Sequence, residues 1–99
     1  MGDVSDILNY LSANKQRLLQ EYHLTQIGLF GSYSRGEETS ESDIDLLVEF
    51  KPDTQNLYDL KSRLKREINL VFGREADICR LKYLKTIMKE RILNEVRYV

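Results

Sequence analysis

The sequence predicts an α/β (α+β) fold in a single domain spanning residues 1–99, and three observations predict it. Three stretches carry apolar residues at helical spacing. Short apolar runs bounded by turn signals lie between them. The link between the second and third of these runs holds a full helix, the form expected of a right-handed parallel crossover. A chain of 99 residues buries ~60 to 70% of the surface its unfolded form exposes, enough for one core and not for a second substrate-binding domain.

From about Ser5 to Tyr22, Ile7, Leu8, Leu11, Leu18, Leu19 and Tyr22 fall on one helical face, with Asp3 or Ser5 available as N-cap. Ser12-Ala13-Asn14 weakens that helix and is a candidate kink. Ile27 to Phe30 reads as a short buried strand leading into the Gly31-Ser32 turn and a helical turn through Arg35; Glu37 to Ser42 is polar and turn-like. Ile44 to Phe50 is the second strand, stopped by Pro52 and Asp53. Leu57, Leu60, Leu64, Ile68 and Val71 recur at helical spacing, which predicts an amphipathic helix from about Thr54 to Phe72 closed by Gly73. Glu75 to Cys79 is the third strand. Tyr83, Leu84, Ile87, Met88, Ile92, Leu93 and Val96 predict a last helix running almost to the C-terminus.

Composition bounds the function. Fifteen Lys and Arg against 16 Asp and Glu give a net charge of −1, which supplies no global drive toward nucleic acid. Hydrophobic content of 41% and charged content of 31% describe an ordinary globular chain. No apolar stretch approaches the ~18 residues of a membrane span, and the start of the chain, with Asp3 and Asp6, lacks the pattern of a signal peptide, so the cytoplasm is the expected compartment. Cys79 is the single cysteine, which excludes an intrachain disulfide, and its neighbour Ile78 suggests a packed thiol.

The chemistry concentrates in Gly31-Ser32-Tyr33-Ser34-Arg35-Gly36 and Ser42-Asp43-Ile44-Asp45-Leu46-Leu47-Val48, with ten residues between Ser32 and Asp43. Successive side chains on a strand point to opposite faces, so Asp43 and Asp45 project together while Ile44 and Leu46 face apolar packing. Two like charges held that close are unfavourable unless a cation lies between them. Mg²⁺ suits the position, since it takes hard oxygen ligands and shares its shell with substrate phosphates. Gly31, without a Cβ, lets backbone approach a ligand, and Ser32 supplies a hydroxyl donor. A bare Asp-x-Asp says little. The whole pattern is expected by chance in roughly one chain in a thousand of this size, which makes it informative.

Gly31-Ser32, the ten-residue gap and Asp43-x-Asp45 resemble the signature of the polymerase beta nucleotidyltransferase superfamily, and within it the chain looks like the minimal nucleotidyltransferase (MNT) family. The likeness runs nearly end to end, through Arg35-Gly36-Glu37, a middle helix, a strand bearing Asp77 and a closing helix ending near Tyr98-Val99. Ser34 departs from it, standing where many relatives carry alanine. The resemblance implies a nucleotidyltransferase fold, a small mixed β-sheet with about four packed helices, two Mg²⁺ ions and ATP as donor. It implies that Asp43 and Asp45 bridge both metals, while Asp77 ligates the catalytic metal and accepts the nucleophile's proton. It also implies an antitoxin that transfers AMP to a tyrosine of a HEPN-domain ribonuclease toxin encoded beside it, with release of pyrophosphate. Independently of any family, in-line phosphoryl-type transfer needs charge neutralised on entering and leaving oxygens, and two divalent ions roughly 3.5 to 4 Å apart do this.

Each residue has a plainer alternative. Asp77 alone could be a solvated strand-end acid or a partner of Arg74 or Arg80, and Ser32, expected to bind the donor's β or γ phosphate, could be a simple N-cap. Arg35 could contact phosphate or acceptor, or pair with Glu37 or Glu38. Gly36 is most simply a turn glycine. Lys61, Arg63, Lys65 and Arg66, and Lys82, Lys85, Lys89 and Arg91, read best as solvated helix faces among acids such as Asp59, Glu67 and Glu90. His23 reads as a surface or strand-start residue, and Tyr10, Tyr22, Tyr58 and Tyr83 as core. A non-catalytic module that neutralises its partner by masking, or a nucleotide sensor, are the other functional readings.

Overall fold

Alternation along the strands divides the apolar residues between two faces of one sheet, and that division places the acids. The computed structural model describes residues 2–99. Its elements run α1 (Val4–Ala13), α2 (Lys15–Glu21), β1 (Leu24–Phe30), α3 (Gly31–Arg35), β2 (Ile44–Phe50), α4 (Leu57–Phe72), β3 (Ala76–Cys79), a 3₁₀ turn (Leu81–Tyr83), α5 (Thr86–Glu95) and β4 (Arg97–Tyr98). The sheet order is β3-β2-β1-β4. β1 pairs antiparallel with β2 and with β4, and β2 pairs parallel with β3 through the α4 crossover, so the sheet is mixed as expected.

One face carries Ile27, Leu29, Ile44, Leu46, Val48, Ala76 and Ile78, packed with Ile7, Leu11 and Leu18 from α1 and α2 and with Leu60, Leu64 and Ile68 from α4. On the other face Phe30 and Leu47 meet Ile92 of α5, with Cys79 and Val96 against them. α1 and α2 are also tied to α4 by a polar latch. Glu67 accepts Tyr10 Oη at 2.6 Å, Tyr22 Oη at 2.7 Å and Arg17 Nη2 at 2.6 Å. Burial works against the Glu67 charge, yet the bonds from Arg17, Tyr10 and Tyr22 hold its pKa down to about 2.

Several boundaries differ from the sequence expectation. The leading helix is two helices, interrupted at Asn14, whose φ of −107° and ψ of 12° leave the helical region, so the described residues hold five helices where about four were expected. Asp3 rather than Ser5 caps α1, accepting the Asp6 N–H at 2.9 Å. β1 begins at Leu24, three residues before Ile27, and α4 begins at Leu57 rather than Thr54, because Thr54 N–H and Oγ bond back to the Lys51 carbonyl and Asn56 takes a φ of 59°. The last helix stops at Glu95. Arg97 and Tyr98 form β4 opposite Gly28 and Leu29, a fourth strand that the amphipathic pattern concealed. Tyr58 and Tyr83 are 85% and 71% exposed, so they are not core. Tyr22 is buried and Tyr10 half-buried, as expected.

Candidate active site

Register brings the site together. Phe30 pairs with Asp45 across β1 and β2, and Asp45 pairs with Asp77 across β2 and β3, so the three lie in one row across the sheet. Gly31 follows Phe30 directly, which sets the Gly31-Ser32 turn at the end of that row. Asp43 stands just before β2, beyond the buried Ile44, and is exposed together with Asp77, while Asp45 between them is half-buried. Burial, then the charges of Asp77 and Asp43, push the Asp45 carboxyl up to about 6, against a smaller opposing effect of Arg35. Three acids held near one another at that electrostatic cost are a donor set suited to hard divalent cations. Among the described residues no group of three ligands closes round an ion by itself. That is compatible with Mg²⁺, which usually keeps waters and substrate phosphates in its shell. Asp77 makes no ion pair with a described residue, so neither Arg74 nor Arg80 neutralises it.

The turn is fitted to Asp45. Gly31 has a φ of +76°, and a Cβ there would overlap the Asp45 carboxylate, 2.9 Å from its Cγ. Only glycine fits both demands. Ser32 lies inside α3 rather than at its cap, which is Phe30, and its hydroxyl makes no hydrogen bond to a described residue; it is half-buried and open to a ligand. Ser34 is buried and donates to the Gly31 carbonyl at 3.0 Å, so the departure from alanine adds a bond inside the turn. Gly36, with a φ of 71°, ends α3 as a turn glycine.

Arg35 makes the expected ion pair with Glu37, Nε to Oε1 at 3.0 Å, and a second one the sequence did not reveal, with Glu95 at 3.0 Å. Glu95 also accepts the Gly31 N–H at 2.7 Å. No local pattern announces it, because its partners lie 60 and 64 positions away. Its one visible sign is the i,i+4 spacing from Arg91, 3.8 Å distant. Lys61 and Lys65, assigned from sequence to a solvated face, line a cavity of about 210 Å³ with Tyr58, Ser62, Ile78 and Asp77, so part of that basic face borders the site. Cys79 is half-buried near the acids, and burial, then the charges of Asp77 and Asp45, raise its thiol to about 11. His23 is exposed, with a φ of 56°, at the entry to β1.

Comparison with known proteins agrees with this geometry. The nucleotidyltransferase domain family matches residues 11–99. The protein adenylyltransferase MntA of Thermococcus cleftensis is 32% identical over 99 residues, covering 100% of this chain and 98% of its own. A solved structure described provisionally as a minimal nucleotidyltransferase superposes with a TM-score of 0.77 at 27% identity, over 96% of this chain and 94% of its own. A chain from the complex of a tri-AMPylated Shewanella oneidensis HEPN toxin with its MNT antitoxin shares the fold at a TM-score of 0.60 and 21% identity, over 91% of this chain and 69% of its own. A glycine-serine turn set against strand-borne acids, on a mixed sheet of this order, is thus accompanied by relatives of one kind, and the chain belongs to the nucleotidyltransferase domain family as a minimal nucleotidyltransferase.

Proposed function

We propose that this protein is a Mg²⁺-dependent protein adenylyltransferase that moves AMP from ATP to a tyrosine of a HEPN ribonuclease toxin, releases pyrophosphate and so acts as the antitoxin, in the cytoplasm. The observation that carries the reading is the row of Asp45 and Asp77 with Asp43 beside it, facing a Gly31-Ser32 turn that only glycine allows. The name of the Thermococcus cleftensis relative and the composition of the Shewanella oneidensis complex support the acceptor class.

In this reading Asp43 and Asp45 would hold the metal pair and Asp77 would ligate the catalytic ion. When bound, Mg²⁺ neutralises charge on the entering and leaving oxygens of in-line transfer. Ser32 Oγ donates to a β or γ phosphate oxygen, and the glycine turn lets backbone approach the same phosphates. Asp77, exposed at the sheet edge, accepts the proton of the acceptor phenol, whose oxygen forms the new bond to the α phosphorus as pyrophosphate departs. The test incubates the protein with each labelled nucleoside triphosphate, Mg²⁺ and the protein encoded beside its gene. A monophosphate mass on one tyrosine of that partner is expected with ATP, and none with Asp43→Asn. No added mass with any nucleotide would sink the enzymatic reading and leave the mask.

A further inference from the structure

Gly31 has no side chain with which to fix its own place, and a φ of +76° is held only where neighbours define it. Two groups do so, one from the neighbouring strand β2 and one from the end of α5. The Asp45 side chain packs against its Cα, and Glu95 accepts its N–H at 2.7 Å. The Glu95 side chain is 13% exposed, and both of its oxygens lie 3.0 Å from Arg35 Nη1. Arg35 Nε is held in turn by Glu37 at 3.0 Å. Glu95 is the last residue of α5, and the chain beyond it returns as β4 along Gly28 and Leu29, just ahead of the turn. The carboxylate is therefore anchored on an element stapled to the same strand that delivers Gly31. An anion placed near Asp43, Asp45 and Asp77 adds repulsion that packing alone does not require. What it gains is the charge-assisted acceptance of one backbone amide and one guanidinium.

We propose that Glu95 is a positioning residue of the donor site: its carboxylate sets the Gly31-Ser32 turn at a fixed distance from Asp45 and orients Arg35 beside it. Glu95 touches no reacting atom. It acts through Gly31 and Arg35, so its effect is on how well the turn is shaped before phosphate arrives. The role rests on the donor reading proposed above.

The test follows the Gly31 amide by hydrogen exchange in NMR spectra, Mg-ATP affinity by calorimetry and the melting temperature, in wild type and three variants. Glu95→Gln keeps an oxygen for the Gly31 N–H and is expected to retain amide protection and to bind Mg-ATP within about threefold of wild type. Glu95→Ala is expected to lose protection at Gly31 and to bind about tenfold or more weakly. Should Glu95→Ala not fold, Glu95→Asp, one methylene too short to reach, carries the same expectation. Glu67→Gln weakens the remote latch and serves as the stability control: a lower melting temperature with unchanged affinity is expected. Glu95→Ala that binds Mg-ATP as wild type, or affinity that falls in step with melting temperature in both Glu95→Ala and Glu67→Gln, would overturn the role. Wild type that fails to bind Mg-ATP while its Gly31 amide is protected would sink the donor reading, and this role with it.

Discussion

Asp45 is the most constrained acid of the site, with Gly31 against its carboxylate and Asp77 beside it in the sheet. Its folded pKa of about 6 exceeds the ordinary 3.8, so the native state binds the extra proton. Below the ordinary value the group is neutral in both folded and unfolded states and has no effect. As pH rises between the two values the unfolded chain ionises first, and above about 6 the whole penalty is present. Asp45→Asn should therefore stabilise the metal-free protein at pH 8 by about 1 kcal/mol, after discounting for the part of the group that water screens, and raise its melting temperature by roughly 4–8 °C. The gain should vanish toward pH 4, and Mg²⁺ affinity of the wild type should fall as pH drops below about 6. Thermal melts across that range check both; equal stability at pH 8 would mean the acids impose no strain. Asp43, Asp45 and the turn were legible in sequence because each is fixed by local pattern, strand alternation for the acids and glycine before serine for the turn, while Asp77 was reached only through the family resemblance. Glu95 was not legible, because its role is defined by a fold that joins distant positions, and one Glu on a charged helix looks like any other.

The closing elements show the same limit at a larger scale. The helical period expected from Tyr83 to Val96 overstates the helix: Tyr83 ends a 3₁₀ turn, Leu84 and Val96 are extended, α5 runs only Thr86–Glu95, only its Ile92 is buried, and Ile87 is 77% exposed. β4 is two residues long and exists because β1 offers an unpaired edge, which no window of the C-terminal sequence reports. Its fit is tight at Gly28, where a Cβ would stand 2.8 Å from Val96 Cγ2, 2.9 Å from Tyr98 Cδ1 and 3.2 Å from the Arg97 carbonyl. Side chains can turn aside; the carbonyl cannot. Gly28→Ala should lift β4 from β1 at a cost of about 1–3 kcal/mol, and because Glu95 precedes that strand, should also expose the Gly31 amide. Hydrogen exchange at Val99, whose N–H bonds the Ile27 carbonyl at 3.2 Å, and at Gly31 reads both consequences together. Loss of protection at Val99 with Gly31 unchanged would show that the helix, and not the strand, holds Glu95.

Over the whole molecule, the acids, the serine and the glycine turn predict how little protein is needed to silence a partner. Masking requires one antitoxin for each toxin and reverses when they separate, since it is an equilibrium between bound and free forms. Covalent transfer is catalytic. On the function proposed above, a trace of this protein with ATP and Mg²⁺ should silence a large excess of its proposed HEPN nuclease partner, and that partner should stay silent after the protein is removed. Without ATP, inhibition should appear only near equal amounts and should wash out. Asp77→Asn separates the two contributions: its donor metal would still be held by Asp43 and Asp45, so it should bind Mg-ATP and mask stoichiometrically, yet leave no lasting inhibition. The measurement is residual nuclease activity against added protein, with and without ATP, for wild type and Asp77→Asn. A one-to-one endpoint under every condition, with no added mass on the nuclease, would make the protein a mask built on a nucleotidyltransferase fold; an endpoint far below one-to-one that needs both ATP and Asp77 is the outcome expected here.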